Sequence, residues 1–433
     1  MVRSRRLNLY LAILTVLLIT LLGGKPAPGL ASVPLGAPVP DQIVLSWIDD
    51  PSTTMAISWR TSPDVTGTIV QYWPISESSS RASESDAITV KDEPLPQESV
   101  RQVEGSSFLW ASSHGEMRIH RVQLTSLSPG TTYAYRVGDG SETRWSSIYT
   151  FSTAPTSAST VSLLVVTDSQ APPGQYTAWR YTLKAALSDE LLEQFIVHAG
   201  DIVDIGGDEL HWEQWFDAAA DLIACNPLLV ALGNHELLQD KGAMAFRSHF
   251  YVSDNNPLSY SLTYGNLLHI VVLDSEARGA VDVAEQRRFL EQDLAAHKDL
   301  PWTVVVMHRP PHSTVRSWSN EDVLSNYVPL FEEYGVDLVI AGHDHTYARS
   351  FPMREREVAS DDPLCLAEGI VYVTAGRAGA KGSPRDIYKP SWAAMYCGGV
   401  PPMYLNLVFS KDEVRVVSRF VSGVILEDVI LKK

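Results

Sequence analysis

Three cysteines in 433 residues are too few to staple a chain of this size, so no disulfide framework holds it together. Cys365 and Cys397 lie in loop-like sequence and are expected to form the one bridge that export permits. Cys225 lies in a helical pattern and is expected to be a buried thiol. Positive charge is scarce as well: 34 Lys and Arg stand against 51 Asp and Glu, a formal charge of −17. That deficit excludes a long nucleic-acid footprint, which needs clustered Lys and Arg. An anionic substrate would have to be drawn in by a local positive centre, and bound metal can be that centre. Long apolar runs are absent after residues 7–22. That single run follows Arg3, Arg5 and Arg6 and precedes "GGKPAPGLAS", where Gly29 and Ala31 suit a signal-peptidase site. Residues 1–31 therefore read as a signal peptide, and the protein as secreted or extracytoplasmic with no other membrane segment. An uncleaved N-terminal membrane anchor is the alternative.

What is present is a hydrophobic content of 45%, enough for at least one large core and read here as two. From residue 40 to 153, short segments such as "QIVLSWI", "TMAISWR", "GTIVQYW", "RIHRVQL" and "TTYAYRV" alternate with a period of two and are separated by Pro, Gly, Ser and Asp clusters. That is the grammar of an all-β sandwich. The Ser-rich "SESSSRASESDAITVKDEPLPQES" interrupts it and reads as a long exposed loop. "APTSAST", residues 154–160, reads as a linker. Residues 161–433 change grammar: continuous apolar strands alternate with amphipathic helices, as in a sheet covered on both faces.

Polar residues at the carboxyl ends of such strands are the usual place for a site. Here each apolar strand ends in a possible metal ligand: Asp168 after "LLVVT", Asp201 after "IVHAG", Asn234 and His235 after "LVALG", His308 after "VVVM", and His343 and His345 after "LVIAG". A lone strand-end Asp or His is usually a turn or cap residue; five endings in order are not explained that way. Asp201, Asp204 and Asp208 crowd into eight residues, a repulsion that a solvated loop tolerates and a bound cation would turn into attraction. Carboxylates, imidazoles and an amide oxygen suit Mn, Fe or Zn better than Ca.

The blocks "TDSQ", "GDIVD", "GNHE", "VVMH" and "GHDH" resemble the five-block pattern of the calcineurin-like metallophosphoesterases, and the sandwich before them resembles the domain that often precedes it in purple acid phosphatases. "LSPGTTYAYRVGDG" and "FSTAP" also resemble the end of a fibronectin type III domain, with Leu127 and Tyr133 at its core Leu and corner Tyr. The resemblance implies an α/β fold, a four-layer α-β-β-α sandwich preceded by an all-β fibronectin III or Ig-like sandwich. It implies two divalent metal ions bridged by Asp201, with Asp168 and His345 in the first site and Asn234, His308 and His343 in the second. His235 would face the substrate as hydrogen-bond donor or general acid, helped by His312; Arg309 and Arg377 would hold a phosphoryl oxygen or stabilise turns.

Two residues depart from the pattern. Asp204 stands where a purple acid phosphatase has the tyrosinate that gives its colour, and Gln170 where many other members have a further His ligand. Either can fill the gap in the first site; a helix-cap or outer role for Asp204 is the alternative. Asp208 reads as a solvated loop residue and His198 as a packed one. The expected activity is hydrolysis of a small phosphate monoester, with the colour absent. A phosphodiesterase or nucleotidase on the same site, or a metal-binding adhesion or carbohydrate-binding protein with vestigial catalysis, are the alternatives.

Overall fold

A computed structural model describes residues 35–75, 99–188, 194–252, 258–277 and 279–433. The expected signal peptide, and the Ser-rich insert as far as residue 98, lie outside these. Among the described residues no helix is long and apolar enough to cross a membrane.

The first part is a pair of four-stranded antiparallel sheets. One runs Asp41–Ser46, Met55–Thr61, Glu116–Leu124, Ser106–Ala111, and the other Arg101–Glu104, Ile69–Pro74, Thr132–Gly138, Tyr149–Ser152. In Glu116–Leu124 the period of two shows as buried His120, Val122 and Leu124 alternating with partly exposed Arg121 and Gln123, while Met117 and Ile119 are buried on the opposite face. Leu127 is buried, and the Ser128 backbone N–H donates to Tyr133 Oη at 2.9 Å, which pins the corner between two strands.

The second part is a four-layer sandwich of helices, two sheets and helices. One sheet orders Leu228–Val230, Phe195–His198, Val161–Val166, Met403–Phe409, Glu413–Phe420 and Ile425–Lys432, parallel across the first three strands and antiparallel after them. The other has a parallel centre of Leu268–Val272, Trp302–Val306, Leu338–Ala341 and Val371–Ala375 with antiparallel edges. Side chains on a strand alternate between faces. Trp302, Val304 and Val306 accordingly join the main core, while Val305 joins a second core with Leu290, Leu294, Val323 and Phe331 of the helices Ala280–His297 and Glu321–Tyr334. Each strand is thus covered on both sides, which is why its sequence is continuously apolar. The helices Thr177–Leu187 and Glu209–Ile223 contribute Trp179, Trp212 and Trp215 to the main core.

That core runs on into the first part. Trp47 packs edge-on to Phe195 at 5.6 Å between ring centres, and Tyr135 Oη donates to the Ala224 carbonyl at 2.6 Å. The segment 154–160 is tied down by Ala158, whose N–H donates to Gly265 O at 2.7 Å.

Three expectations are corrected. Cys365 and Cys397 are not bridged: Cys365 pairs with Lys432 through the backbone, and Cys397 lies in the strand Ala393–Cys397 beside Tyr347. Cys225 follows the end of its helix and is half-buried, not a core thiol. Asp208 is the N-cap of Glu209–Ile223, accepting from Leu210 N–H at 3.0 Å and from His114 Nε2 at 2.8 Å; its proximity to Asp201 in sequence reflects a helix start.

Candidate metal centre

Two groups of donor side chains meet at the carboxyl ends of the strands. Asp168, Asp201 and His345 form one, and Asp201, His308 and His343 the other, each with donor atoms within 4.8 Å of one another. Asp201 belongs to both. Its Oδ1 is 3.2 Å from His308 Nε2, and that nitrogen is 3.3 Å from Asn234 Oδ1 and 3.2 Å from His343 Nδ1. In the first group, His345 Nε2 is 3.1 Å from Asp168 Oδ1.

The local folding is costly and over-determined. Asp168, Asp201, His343 and His345 have φ of 51°, 52°, 71° and 52°, a left-handed backbone that costs non-glycine residues about 1–3 kcal/mol each. Close approach compensates. A Cβ on Gly342 would lie 1.9 Å from Thr167 Oγ1, and one on Gly233 2.2 Å from Asp201 N, so the glycines of "GHDH" and "GNHE" let these loops touch. Glu236, which the sequence reading did not single out, accepts from the backbone N–H groups of Asp201, Ile202, Val203 and Gly233 at 2.8–3.1 Å and moulds the "GDIV" turn. Its burial and the adjacent Asp201 charge push its carboxyl up, against the pull of these N–H donors. Asp344 does similar work for "GHDH": its Oδ2 accepts from Thr314 Oγ1 at 2.9 Å and Ser313 Oγ at 3.0 Å.

The electrostatics suit cations. Burial opposes ionisation of Asp201, but His308, His235 and His343 outweigh it and hold the carboxyl far below its usual range. Burial would lower His308 as well; Asp201, Asp168 and Glu276 overcome it and raise the imidazole to about 10. His308 Nδ1 is 2.9 Å from the Ala199 carbonyl, which fixes the ring and leaves Nε2 facing the cluster. Gln170 Oε1 is buried with no hydrogen-bond partner, and Asp168 Oδ1 is buried with only the His345 imidazole beside it. Buried acceptors of that kind mark a place for an ion, and the mixed carboxylate, amide and imidazole set fits a borderline divalent metal.

The comparisons with known proteins agree with this geometry. The purple acid phosphatase N-terminal domain model matches residues 40–153, and the calcineurin-like phosphoesterase model matches residues 161–347. The chain is a purple acid phosphatase-like member of the calcineurin-like phosphoesterases.

Among relatives, an uncharacterized protein of Mycobacterium tuberculosis is 29% identical over 74% of this chain and 64% of its own length, so the chain spans less than two thirds of that relative. The Fe(3+)-Zn(2+) purple acid phosphatase 12 of Arabidopsis thaliana is 24% identical, over 83% of this chain and 76% of that one. A probable inactive purple acid phosphatase 24 of the same plant is 25% identical, over 63% and 51%. Identity alone therefore does not separate active from inactive relatives, and the donor set has to. The solved purple acid phosphatase of yellow lupin (Lupinus luteus) seeds shares the fold, with a TM-score of 0.73 at 17% identity, covering 91% of this chain and 74% of that one.

Around these donors the remaining expected residues divide. His235 borders them: its Nε2 is 3.8 Å from Asp201 Oδ2, while Nδ1 is 2.6 Å from the Asp204 carbonyl. Gln170 is central, with Nε2 3.1 Å from Asp201 Oδ2 and 3.3 Å from His345 Nε2. The Asp204 carboxylate instead takes Lys381 Nζ at 2.8 Å and lies 3.3 Å from His235 Nδ1. Arg309 is forked onto Glu276 at 2.6 and 3.1 Å and places Nη1 3.0 Å from His343 Nε2. Arg377 binds the Val400 and Gly379 carbonyls, the turn-stabilising arrangement. His312 packs against Tyr372 and Trp392, and burial holds it down to about 4, which describes a packed neutral ring. His198 is packed too, between Trp179 and Trp215, with Nε2 2.8 Å from Ser169 Oγ.

Proposed function

We propose that the protein is a dinuclear metal-dependent phosphoric monoester hydrolase, exported by way of residues 1–31. The observation that carries this is the sharing of Asp201 by two donor groups with His235 at their edge. Asp168, Asp201, His345 and Gln170 would hold one ion, and Asp201, Asn234, His308 and His343 the other. Two such ions, when bound, supply an activated water and polarise the phosphoryl oxygen.

The chain's own residues do the rest. Asp201 and the imidazoles fix the donor geometry through backbone strain that Glu236 and the two glycines hold in place. His235 keeps Nδ1 on the Asp204 carbonyl, so Nε2 is the atom that meets the ester and, when protonated, gives the leaving oxygen its proton. Arg309, held by Glu276, borders His343 from outside the donor set. His312 and Arg377 have no part in this reading.

The test is metal analysis of the purified protein together with turnover on a panel of phosphate monoesters and diesters. The expected result is two ions per chain and a preference for monoesters. A preference for diesters would move the reading to a phosphodiesterase, and full loading without hydrolysis would leave a binding protein.

A further inference from the structure

Lys381 lies in the Gly-rich run after the strand Val371–Ala375, a segment bolted to the donor residues at both ends. Ala378 and Gly379 donate their N–H groups to the Thr167 and Asp168 carbonyls at 2.7 and 2.9 Å. His345 Nδ1 is 2.9 Å from the Gly382 carbonyl, and Ser383 Oγ donates to the His345 carbonyl at 2.7 Å. Arg377 closes the turn on Val400 O and Gly379 O. The lysine between these ties is therefore positioned by the same bonds that position Asp168 and His345.

Its ammonium donates to Asp204 Oδ1 at 2.8 Å and lies against the His235 ring, 2.7 Å from Nε2 and 3.4 Å from Nδ1. A carbonyl only accepts, so the 2.6 Å contact to Asp204 O makes His235 Nδ1 the protonated nitrogen. One N–H donor is thereby committed to Asp204 and at most one more to the His235 ring, and the side chain is 35% exposed, which leaves a donor and an open approach for a ligand oxygen. His235 Nε2 is 3.8 Å from Asp201 Oδ2, so the ammonium stands one side chain away from the carboxylate common to both donor groups. A partly exposed ion pair contributes little to stability, so stability does not account for the built turn. In a protein of net charge −17, a fixed cation at that edge attracts an anionic group.

We propose that Lys381 binds a non-bridging phosphoryl oxygen of the substrate, with Asp204 as its positioning residue; this rests on the hydrolase reading above. It gives Asp204 a task in place of metal ligation. On entry of the phosphoryl group, the ammonium turns from the His235 ring to the oxygen, leaving Nε2 open to take a proton from solvent, which it then gives to the leaving oxygen.

Lys381→Met and Lys381→Arg in the full, metal-loaded chain test it, with inorganic phosphate as the probe. Lys381→Met should keep its ions and melting temperature, while the inhibition constant of phosphate and the KM for a monoester rise about 10- to 100-fold, the range of one charge-assisted hydrogen bond. Lys381→Arg should restore most of the loss. Unchanged phosphate inhibition in Lys381→Met, or weakening only in step with lost metal or lost melting temperature, would overturn the assignment and leave Lys381 a structural partner of Asp204. A wild-type protein that neither hydrolyses phosphate esters nor is inhibited by phosphate would bring down the hydrolase reading itself, an outcome distinct from an active wild type with an indifferent Lys381→Met.

Discussion

The two donor groups share Asp201 but differ in what they add to it. The first adds a second carboxylate, Asp168, one imidazole, His345, and the amide of Gln170; the second adds two imidazoles, His308 and His343, and the amide of Asn234. Both departures from the family pattern, Gln170 and Asp204, fall on the first group, and none on the second. The first is therefore rich in oxygen and short of one strong donor, and the second is rich in nitrogen. The contrast teaches that the identity of the ions is decided mainly in the first group, since imidazole-rich sites suit zinc while oxygen-rich ones suit harder ions.

The largest effect should come from the residue that abolishes the contrast. Asp201→Asn removes the one charge common to both groups, so both ions should be lost and turnover should fall by about 10³-fold or more. Ion content per chain and turnover, measured together, check this; a variant with two ions and near-normal turnover would sink the shared carboxylate. His235→Ala lies outside both groups and should leave two ions bound while the rate falls by about 10²- to 10⁴-fold, with less loss on esters of acidic phenols. Equal loss on good and poor leaving groups would contradict a proton donor.

These expectations were legible in the sequence to an uneven degree. Six strand-end residues were readable because buried strands are continuously apolar and a polar residue at their carboxyl end stands out against them. Glu236 was in plain view in "GNHE", yet its carboxylate serves backbone N–H groups more than thirty residues away, and sequence carries no signal for that. Lys381 follows the same strand-end grammar as the others but was hidden in glycines that read as a turn. Nearness in sequence to His308 does not fix the direction of His312: the chain passes Pro310 and Pro311, and the ring packs on Tyr372. The missing Cys365–Cys397 bridge has a like cause, since both residues belong to strand pairings with other partners.

A smaller effect sharpens the contrast between the groups. His308→Ala leaves the second group an amide and an imidazole beside Asp201, whereas His345→Ala leaves the first no imidazole at all. Each variant should retain one ion per chain, and the retained ion should differ. His345→Ala should keep zinc in preference to manganese, and His308→Ala the reverse, with affinity for the emptied position down by about 10- to 100-fold or more. Titration of each variant with zinc and manganese under competition by a chelator reads this out. Identical preference in the two variants would mean that the groups are not chemically distinct.

The smallest effect on turnover, and the most specific on the first group, belongs to Asp204. A phenolate on ferric iron absorbs visible light by charge transfer, and carboxylate, amide and imidazole donors lack that low-energy orbital, so the protein should have no strong visible band whichever first-row metals it holds. The Asp204 carboxylate is turned to Lys381 at 2.8 Å and lies 3.3 Å from His235 Nδ1, a short side chain occupied at the edge of the cluster. Tyrosine at that position is longer by a ring and no longer pairs with the ammonium. Asp204→Tyr should therefore bring a phenolate to the first group and produce a visible band once iron is supplied under oxidising conditions. Turnover should fall by no more than about tenfold, because Asp204 acts through Lys381 and the segment that carries Lys381 is held independently by Thr167, Asp168 and His345. A folded, iron-loaded Asp204→Tyr that stays colourless would put residue 204 out of reach of the ion, and the first group would then be completed by Gln170 or by solvent.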